Sequence, residues 1–208
     1  MIRVLLADDH KIVREGLRMM LEQTDDIRVT DEAANGDDAL EKLQTNEFDV
    51  VVLDIAMPGQ NGIEVLKRIK TDHPSVHVMM LSTYPEKQYA LRALKAGASG
   101  YLTKDSATEE LIVAIRRAAQ GRKYLSAEIA ERIADHFDDS MKAPHERLSD
   151  REYEVMVQLG KGNSVSMVAE ILSISVPTVS TYRARILHKL NLVSNSELIH
   201  YTIENQLI

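Results

Sequence analysis

Acidic, hydroxyl and basic side chains recur in the first half of the chain, each close behind a short apolar segment. In chain order they are Asp8 and Asp9, Asp54, Ser82 and Lys104. If the apolar segments are parallel strands, their carboxyl ends meet at one edge of a sheet, where α/β proteins bind their ligands. Three carboxylates, a hydroxyl and an ammonium group would then lie close together.

Such a set of side chains suits phosphoryl transfer. Three adjacent carboxylates repel one another unless a cation or a proton compensates their charge, and their oxygens suit a hard ion such as Mg²⁺. A carboxylate can also attack phosphorus and form an acyl phosphate, while the metal and Lys104 balance the charge of the transferred group. A single aspartate after a strand is usually a turn residue or a helix cap, but that interpretation fits the whole set poorly.

Five short apolar segments alternate with helical patterns over about the first 120 residues. The segments lie at 2–7, 27–30, 50–53, 76–81 and 100–102. Several are continuously apolar, as strands buried on both faces of a parallel sheet are. Between them apolar residues recur at helical spacing, as in the set Ile12, Val13, Leu17, Met20 and Leu21. We therefore predict a doubly wound α/β domain with a five-stranded parallel sheet at residues 1–121.

Composition excludes several classes of protein. The 208-residue chain has 25 Lys+Arg, 32 Asp+Glu and no cysteine, which excludes a disulfide scaffold, a thiolate zinc site and a cysteine nucleophile. The chain contains no run of about 18 apolar residues, so the sequence predicts no transmembrane helix. The first apolar segment has neither the basic head nor the cleavage site of a signal peptide. We expect a cytoplasmic protein that does not engage a membrane.

The alternating pattern ends at Gly121, and residues 122–146 read as a linker. Ser126 could cap a helix at about 126–137. The following stretch, DDSMKAPHER, is polar, contains a proline and shows no apolar periodicity, so it indicates an irregular connection.

Residues 147–208 predict a small all-α domain of four helices. Ser149 and Glu152 have the spacing of a capping box at the start of the first helix. Later, Ser175 caps a helix that runs to about Leu190, and Pro177 lies in its first turn, where no backbone N–H is needed.

Positive charge in this domain is concentrated on one helix. Residues 141–208 hold seven basic and seven acidic residues, yet no acidic residue lies between Ile171 and Ser196. A short helix, a turn and a capped helix with clustered arginines form the helix-turn-helix pattern. The side of the second helix opposite its apolar stripe carries Thr178, Thr181, Ala184, Arg185 and His188. From spacing alone, a plain helical bundle explains the pattern as well as a DNA-binding domain does.

Motifs in the first 120 residues resemble the receiver domain of bacterial two-component response regulators. They are ADDH at 7–10, LDIAMPGQNG at 53–62, LS at 81–82 and GYLTKD at 100–105. The resemblance implies that Asp54 accepts a phosphoryl group from a sensor histidine kinase. It also implies a bound Mg²⁺, held by Asp8, Asp9, Asp54 and the backbone carbonyl of Ala56.

The same resemblance implies a switch. Ser82 takes the position of the switch hydroxyl, Tyr101 that of the switch aromatic residue and Lys104 that of the lysine that pairs with phosphate. Phosphorylated Asp54 would offer up to two negative charges and three strong acceptor oxygens, so Ser82 could donate to it and leave room for Tyr101 to rotate inward. Many receivers have Lys-Pro at this point, whereas this chain has Lys104 followed by Asp105.

The C-terminal domain resembles the LuxR-type helix-turn-helix of NarL/FixJ response regulators. The similarity extends over LSDREYEVMVQLGKGNSVSMVAEILSISVPTVSTYRARILHKLNL at 148–192. It implies that the helix beginning near Val176 reads double-stranded DNA and that the last helix forms a homodimer. Ser180 and Tyr182 depart from the usual Lys and His, and NSVSMVA lacks the Lys and Glu of the usual SNKEIA. The residues expected to contact DNA are Thr178, Ser180, Thr181, Arg183, Ala184, Arg185, His188 and Lys189.

We therefore expect a transcriptional regulator rather than an enzyme. The regulator would dimerise on an inverted-repeat promoter site when Asp54 is phosphorylated, and it could contact RNA polymerase.

Three alternatives remain. A haloacid-dehalogenase-like phosphatase also uses an aspartate and Mg²⁺, but 54–58 reads DIAMP and lacks the second aspartate of that motif. A regulator that binds DNA without phosphate would not need the acidic set, and an autoinducer-binding LuxR protein would share only the C-terminal domain.

Overall fold

The computed structural model describes residues 1–83, 86–126 and 143–208. The chain divides into two compact units, Met1–Ile133 and Ala134–Ile208. The division falls outside the described residues, so the boundaries 1–121, 122–146 and 147–208 remain predictions. The predicted helix at about 126–137 also lies outside the described residues, apart from Ser126.

The first unit is built on a five-stranded parallel sheet with the strand order β2-β1-β3-β4-β5. This confirms the predicted doubly wound α/β fold, because the order places the first strand in the interior of the sheet and requires crossovers in both directions. The strands are β1 Ile2–Ala7, β2 Ile27–Ala33, β3 Val50–Asp54, β4 His77–Ser82 and β5 Gly100–Thr103.

Strand positions follow the apolar pattern closely at the centre of the sheet and less closely at its edge. Every residue of β3 is buried, as expected of a strand covered on both faces. At the edge, β2 continues three residues beyond the predicted end at Thr30, through Asp31 and Glu32 to Ala33. Its polar residues break the apolar run, although the backbone pairing with β1 goes on.

Among the described residues of this unit, five helices accompany the sheet. They are α1 Lys11–Leu21, α2 Gly36–Thr45, α3 Gly62–Asp72, α4 Glu86–Lys95 and α5 Ala107–Ala119. The apolar faces of α2 and α3 are buried, but that of α1 is covered only in part. Leu21 is buried, whereas Ile12, a member of the same apolar set, is 84% exposed. Ile12 lies in the first turn, at the margin of the apolar stripe.

The second unit contains the four predicted helices, α6 Asp150–Gly160, α7 Val165–Ile171, α8 Val176–Leu190 and α9 Asn195–Glu204. The capping box of Ser149 and Glu152 is present, and Ser175 accepts a hydrogen bond from the backbone N–H of Thr178. Helices α6 and α9 pack closely, because a Cβ on Gly160 would lie 2.5 Å from Thr202 Oγ1.

Within the described ranges, no single helix is long and apolar enough to span a bilayer. Helices α7 and α8 would pass such a test only if taken together, and they meet at a bend of 112°.

Candidate functional site

The carboxyl edge of the sheet brings together most of the residues that the sequence singled out. Asp54 is the last residue of β3 and Ser82 the last of β4, while Asp8 follows β1 and Lys104 follows β5. These strands are neighbours in the sheet, so residues up to 96 positions apart in sequence reach one place.

Lys104 lies between two buried carboxylates. Its Nζ is 2.6 Å from Asp8 Oδ2 and 2.7 Å from Asp54 Oδ2. The two acidic residues are only 2% and 1% exposed, respectively. Removing two carboxylates from water costs free energy unless opposite charge and hydrogen bonds compensate. Lys104 supplies that charge, and the backbone N–H of Ala56 donates to Asp54 Oδ1 over 3.2 Å.

Asp9 and His10 extend this cluster. One ligand atom from each of Asp8, Asp9, His10 and Asp54 lies within 4.8 Å of the others. His10 Nδ1 is 2.7 Å from Asp9 Oδ1 and 3.2 Å from Asp8 Oδ1. The sequence analysis assigned no role to His10, although its position directly after the acidic pair was a usable signal.

The donor atoms of the cluster fit a hard cation. Asp8 Oδ2 and Asp9 Oδ1 are buried. Each lies near one nitrogen, that of Lys104 or His10, and keeps lone pairs for a further partner. Carboxylate oxygens held this closely are the ligands that Mg²⁺ prefers.

Burial makes Asp54 a more basic carboxylate than usual. Desolvation raises the pKa of Asp54, and the nearby Asp8 acts in the same direction, while Lys104 and the Ala56 N–H only partly oppose the shift. For Lys104, burial alone would lower the pKa, but the attraction of Asp54 and Asp8 outweighs it and the pKa is raised. Lys104 therefore stays protonated beside a carboxylate with increased proton affinity and nucleophilicity.

The loop after β3 is packed against the backbone that carries Asp54. A Cβ on Gly62 would lie 2.2 Å from the carbonyl oxygen of Asp54 and 2.7 Å from Ile55 Cα, so only glycine fits there. Gly62 N–H donates to Ile55 O, and the buried Asn61 caps α3 by accepting from Ile63 N–H. The loop thereby fixes the end of β3.

Ser82 lies on β4, the strand beside that of Asp54, and Tyr101 lies on β5, one strand further along the sheet. Both are fully buried, Ser82 in register with Thr103 and Tyr101 in register with Met80. The hydroxyl of Ser82 is at the same end of the sheet as the acidic cluster. Tyr101 lies two residues further from that end, in the interior of the unit.

In the second unit, α8 separates an apolar side from a solvent-facing side. Val179, Ile186 and Leu190 are buried and Tyr182 is half-buried. The solvent-facing residues are Ser180, Thr181, Ala184, Arg185, His188 and Lys189, with Thr178 half-buried at their margin. This division agrees with the predicted faces of the helix.

Two of the basic residues expected to contact DNA already have partners within their own unit. Arg183 Nε donates to Asn195 Oδ1 over 2.5 Å, which ties α8 to the start of α9. Lys189 Nζ is 2.6 Å from Glu152 Oε2, the carboxylate of the capping box. Sequence reasoning missed both contacts because they join separate helices.

Two family profiles match the chain. The profile described as response regulator receiver domain matches residues 4–116. The profile described as bacterial regulatory proteins, luxR family, matches residues 146–202.

Individual proteins are similar over almost the whole length. Response regulator UvrY of Escherichia coli K12 is 38% identical, over 100% of this chain and 96% of UvrY. RcsB from Salmonella enterica serovar Typhimurium, solved bound to promoter rprA with the phosphomimetic BeF3−, is 27% identical with a TM-score of 0.66, covering 96% of this chain and 97% of RcsB. A structure of two RcsB dimers on two parallel DNAs is 27% identical with a TM-score of 0.60, covering 96% of both chains.

Proposed function

This chain belongs to the two-component response regulators that join a receiver domain to a LuxR-type DNA-binding domain, and from that membership we propose that phosphorylation of Asp54 controls how it binds DNA. The observation that carries the proposal is the buried pair of Asp54 and Lys104, 2.7 Å apart at the carboxyl edge of the sheet. The proposal includes the domain boundaries 1–121, 122–146 and 147–208.

In the proposed reaction, a carboxylate oxygen of Asp54 attacks the phosphorus of a phosphohistidine on a sensor histidine kinase. An oxygen–phosphorus bond forms, the phosphorus–nitrogen bond breaks, and the electron pair returns to the imidazole of the kinase. The raised pKa of Asp54 supports its role as the nucleophile. The Lys104 ammonium, which contacts Asp54 already, would balance the charge gathered on the phosphoryl oxygens.

Mg²⁺ is the proposed cofactor. Asp8, Asp9, Asp54 and the backbone carbonyl of Ala56 would hold it, and it would neutralise phosphoryl oxygens during the transfer. The close carboxylate oxygens at the site support this assignment. The chain's own residues would orient the reacting carboxylate, through the hydrogen bond from Ala56 N–H and the contact with Lys104.

Ser82 and Tyr101 are the proposed switch residues. A phosphoryl group on Asp54 would offer new acceptor oxygens to the Ser82 hydroxyl. Because both side chains are fully buried in tightly packed surroundings, movement of Ser82 requires neighbouring side chains to move as well. We propose that Tyr101 makes this adjustment and that the surface near β4 and β5 changes with it.

The proposed output is a homodimer on an inverted-repeat DNA site. The RcsB structures support it, since one contains a promoter and the other contains dimers on DNA. The eight residues of α8 named above are the proposed contacts, two helices of a dimer lying about one DNA turn apart. We also propose that the protein is cytoplasmic and that, when bound to DNA, it contacts RNA polymerase.

The test compares wild type with Asp54→Asn during incubation with a small acyl phosphate and Mg²⁺. We expect intact-mass spectrometry to find one phosphoryl group on the wild type and none on the variant, because an amide cannot form the acyl phosphate. Asp72→Asn, which changes an exposed carboxylate at the end of α3, should label as the wild type does. Stoichiometric labelling of Asp54→Asn would contradict the site assignment.

DNA footprinting with and without the phosphodonor tests the second half of the proposal. Protection of promoter DNA should require less wild-type protein after treatment, and treatment should not affect Asp54→Asn. Equal protection in both states would instead indicate a regulator that binds DNA without needing phosphate.

A further inference from the structure

The part of α8 nearest its N-terminus presents an uncharged surface. From Gly162 to Tyr182 the sequence contains a single charged residue, Glu170. Val176, in the first turn of α8, is 44% exposed, and Thr181 and Ala184 are exposed further along. In a helix-turn-helix these N-terminal positions enter the major groove and meet the base edges.

The threonine hydroxyls of this surface are engaged within the protein. Thr181 Oγ1 donates to the carbonyl oxygen of Pro177 over 3.0 Å. Thr178 Oγ1 and the capping Ser175 Oγ are 2.7 Å apart. With its proton donated to the helix backbone, Thr181 can offer a ligand its methyl group and the acceptor lone pairs of its oxygen, but no hydrogen-bond donor.

Cations that could hold phosphate are few on this helix. Arg183 and Lys189 are bound to Asn195 and Glu152. Among the side chains that the structure describes, Arg185 and His188 are the two on α8 whose nitrogen atoms have no hydrogen-bond or ion-pair partner. The contribution of α8 itself to the electrostatic part of DNA affinity, which comes from neutralised phosphates, is therefore small.

We propose that α8 reads thymine methyl groups through the aliphatic carbons of Val176, Thr181 and Ala184, while Arg185 supplies the main polar contact. The C5-methyl of thymine is the apolar group that base pairs present in the major groove, and alanine and threonine methyls pack against it. The inference rests on the proposed DNA-binding function and adds the class of base that the helix selects. The recognised half-sites are rich in thymine, and the contacts of α8 add little to the salt dependence of binding.

The first experiment selects sequences from a random duplex library with full-length protein treated with acyl phosphate and Mg²⁺. The enriched duplex is then resynthesised with deoxyuridine in place of thymidine, one position at a time. We expect each contacted thymine to lose about fourfold in affinity when its methyl is removed, the value of one buried methylene-sized group. Equal Kd values for the thymine and uracil forms at every position would overturn the inference.

A pair of variants locates the contact on Thr181. Thr181→Ser removes only the methyl group, and we expect it to abolish the preference for thymine over uracil at one position of each half-site. Thr181→Val keeps a methyl group and loses the hydroxyl, and it should retain that preference. The inference is overturned if Thr181→Ser discriminates as the wild type does.

Salt dependence provides a second measurement. With Arg185, and His188 when protonated, on each of two helices, log Kd should rise with log salt concentration with a slope of roughly 2 to 4. A slope of about 8 or more would contradict a mainly apolar contact. A selection that enriches no sequence would overturn the proposed DNA binding together with the inference, whereas enrichment with equal thymine and uracil affinities overturns the inference alone.

Discussion

At the scale of single residues, the buried carboxylate of Asp54 lowers the free energy of unfolding when it is ionised. Its carboxylate is buried, and Lys104 compensates its charge only in part, so that its pKa is raised. As pH rises, the unfolded chain loses this proton first, at the ordinary aspartate value of 3.8. The free energy of unfolding therefore falls as pH rises from that value through the folded pKa.

Asp54→Asn should remove this loss, because an amide cannot ionise. In metal-free buffer we expect the variant to exceed the wild type in free energy of unfolding at neutral pH, because the buried charge is gone while Asp8 still compensates Lys104. Urea unfolding at several pH values measures the difference, which should shrink towards pH 3.8. A difference independent of pH, or a less stable variant at neutral pH, would refute this account.

Asp9 belongs to the same cluster but is only half-buried, so its main effect should be on cation binding. Mg²⁺ should raise the Tm of the wild type, since a ligand bound only by the folded state adds about 2.7 kcal/mol at a hundred times its Kd. Asp9→Asn should lose most of that rise, measured by thermal unfolding with and without Mg²⁺. Asp72→Asn, a carboxylate change away from the cluster, should keep the full rise, and equal behaviour of the two variants would speak against the proposed ligand.

At the scale of elements, the connection from β3 to α3 sets the position of Asp54. Gly62→Ala should be strongly destabilising, by about 3 kcal/mol or more, because its Cβ meets the backbone of Asp54 and Ile55 at 2.2 and 2.7 Å. The Tm of this variant and the extent of its labelling by the phosphodonor should both be lower than in the wild type, because the end of β3 must move.

Gly16→Ala in the middle of α1 is the matched control. No atom lies within 4 Å of the added Cβ, so the better helix propensity of alanine should stabilise the protein by up to about 1 kcal/mol. Labelling at Asp54 should be unchanged. If the two glycine variants had similar stability, the close packing at Gly62 would not be the determining factor.

The elements themselves were largely predictable from the sequence, and the exceptions have physical causes. Buried strands such as Val50–Asp54 leave a continuous apolar run, and Ser149, Ser164 and Ser175 mark helix starts through local hydrogen bonds. Exposure at Ile12 was not predictable, because periodicity identifies a face without showing what covers its margin. The pairing of Lys189 with Glu152, 37 positions away, requires the tertiary fold.

The acidic site was predictable to a similar degree. Strand ends in a parallel sheet meet by topology, so Asp54 and Lys104 could be expected at one edge. Which nitrogen approaches which carboxylate depends on side-chain conformations that no spacing reveals. For that reason His10 was overlooked, although it follows Asp9 directly and faces both acids.

At the scale of the whole molecule, the net negative charge and the acidic site lie in one part, and the LuxR-type DNA-binding domain lies in another. Residues 1–140 hold all of the net charge of −7, and residues 141–208 are neutral overall. Phosphorylation in the first part can affect DNA binding in the second only by changing a conformational or assembly equilibrium that both share.

We expect that equilibrium to be dimerisation. Sedimentation velocity with acyl phosphate and Mg²⁺ should move wild-type protein from monomer towards dimer, with a coupling of about 1 to 3 kcal/mol, or roughly 5- to 150-fold in the association constant. Asp54→Asn should stay monomeric at the same concentration, and Asp72→Asn should dimerise. Identical profiles with and without the phosphodonor would contradict dimerisation as the link.

Strand β5 joins Lys104 to the point where the chain leaves the sheet towards the second part. Lys104 directly follows the four residues of β5, and Gly100 at the other end of β5 forms a backbone bridge with Tyr124, whose N–H also donates to Ser99 O. Four extended residues span only about 13 Å. If the proposed phosphorylation of Asp54 displaces the backbone at Lys104, that displacement needs to travel only this short distance along β5 to reach the backbone bonds that hold Tyr124.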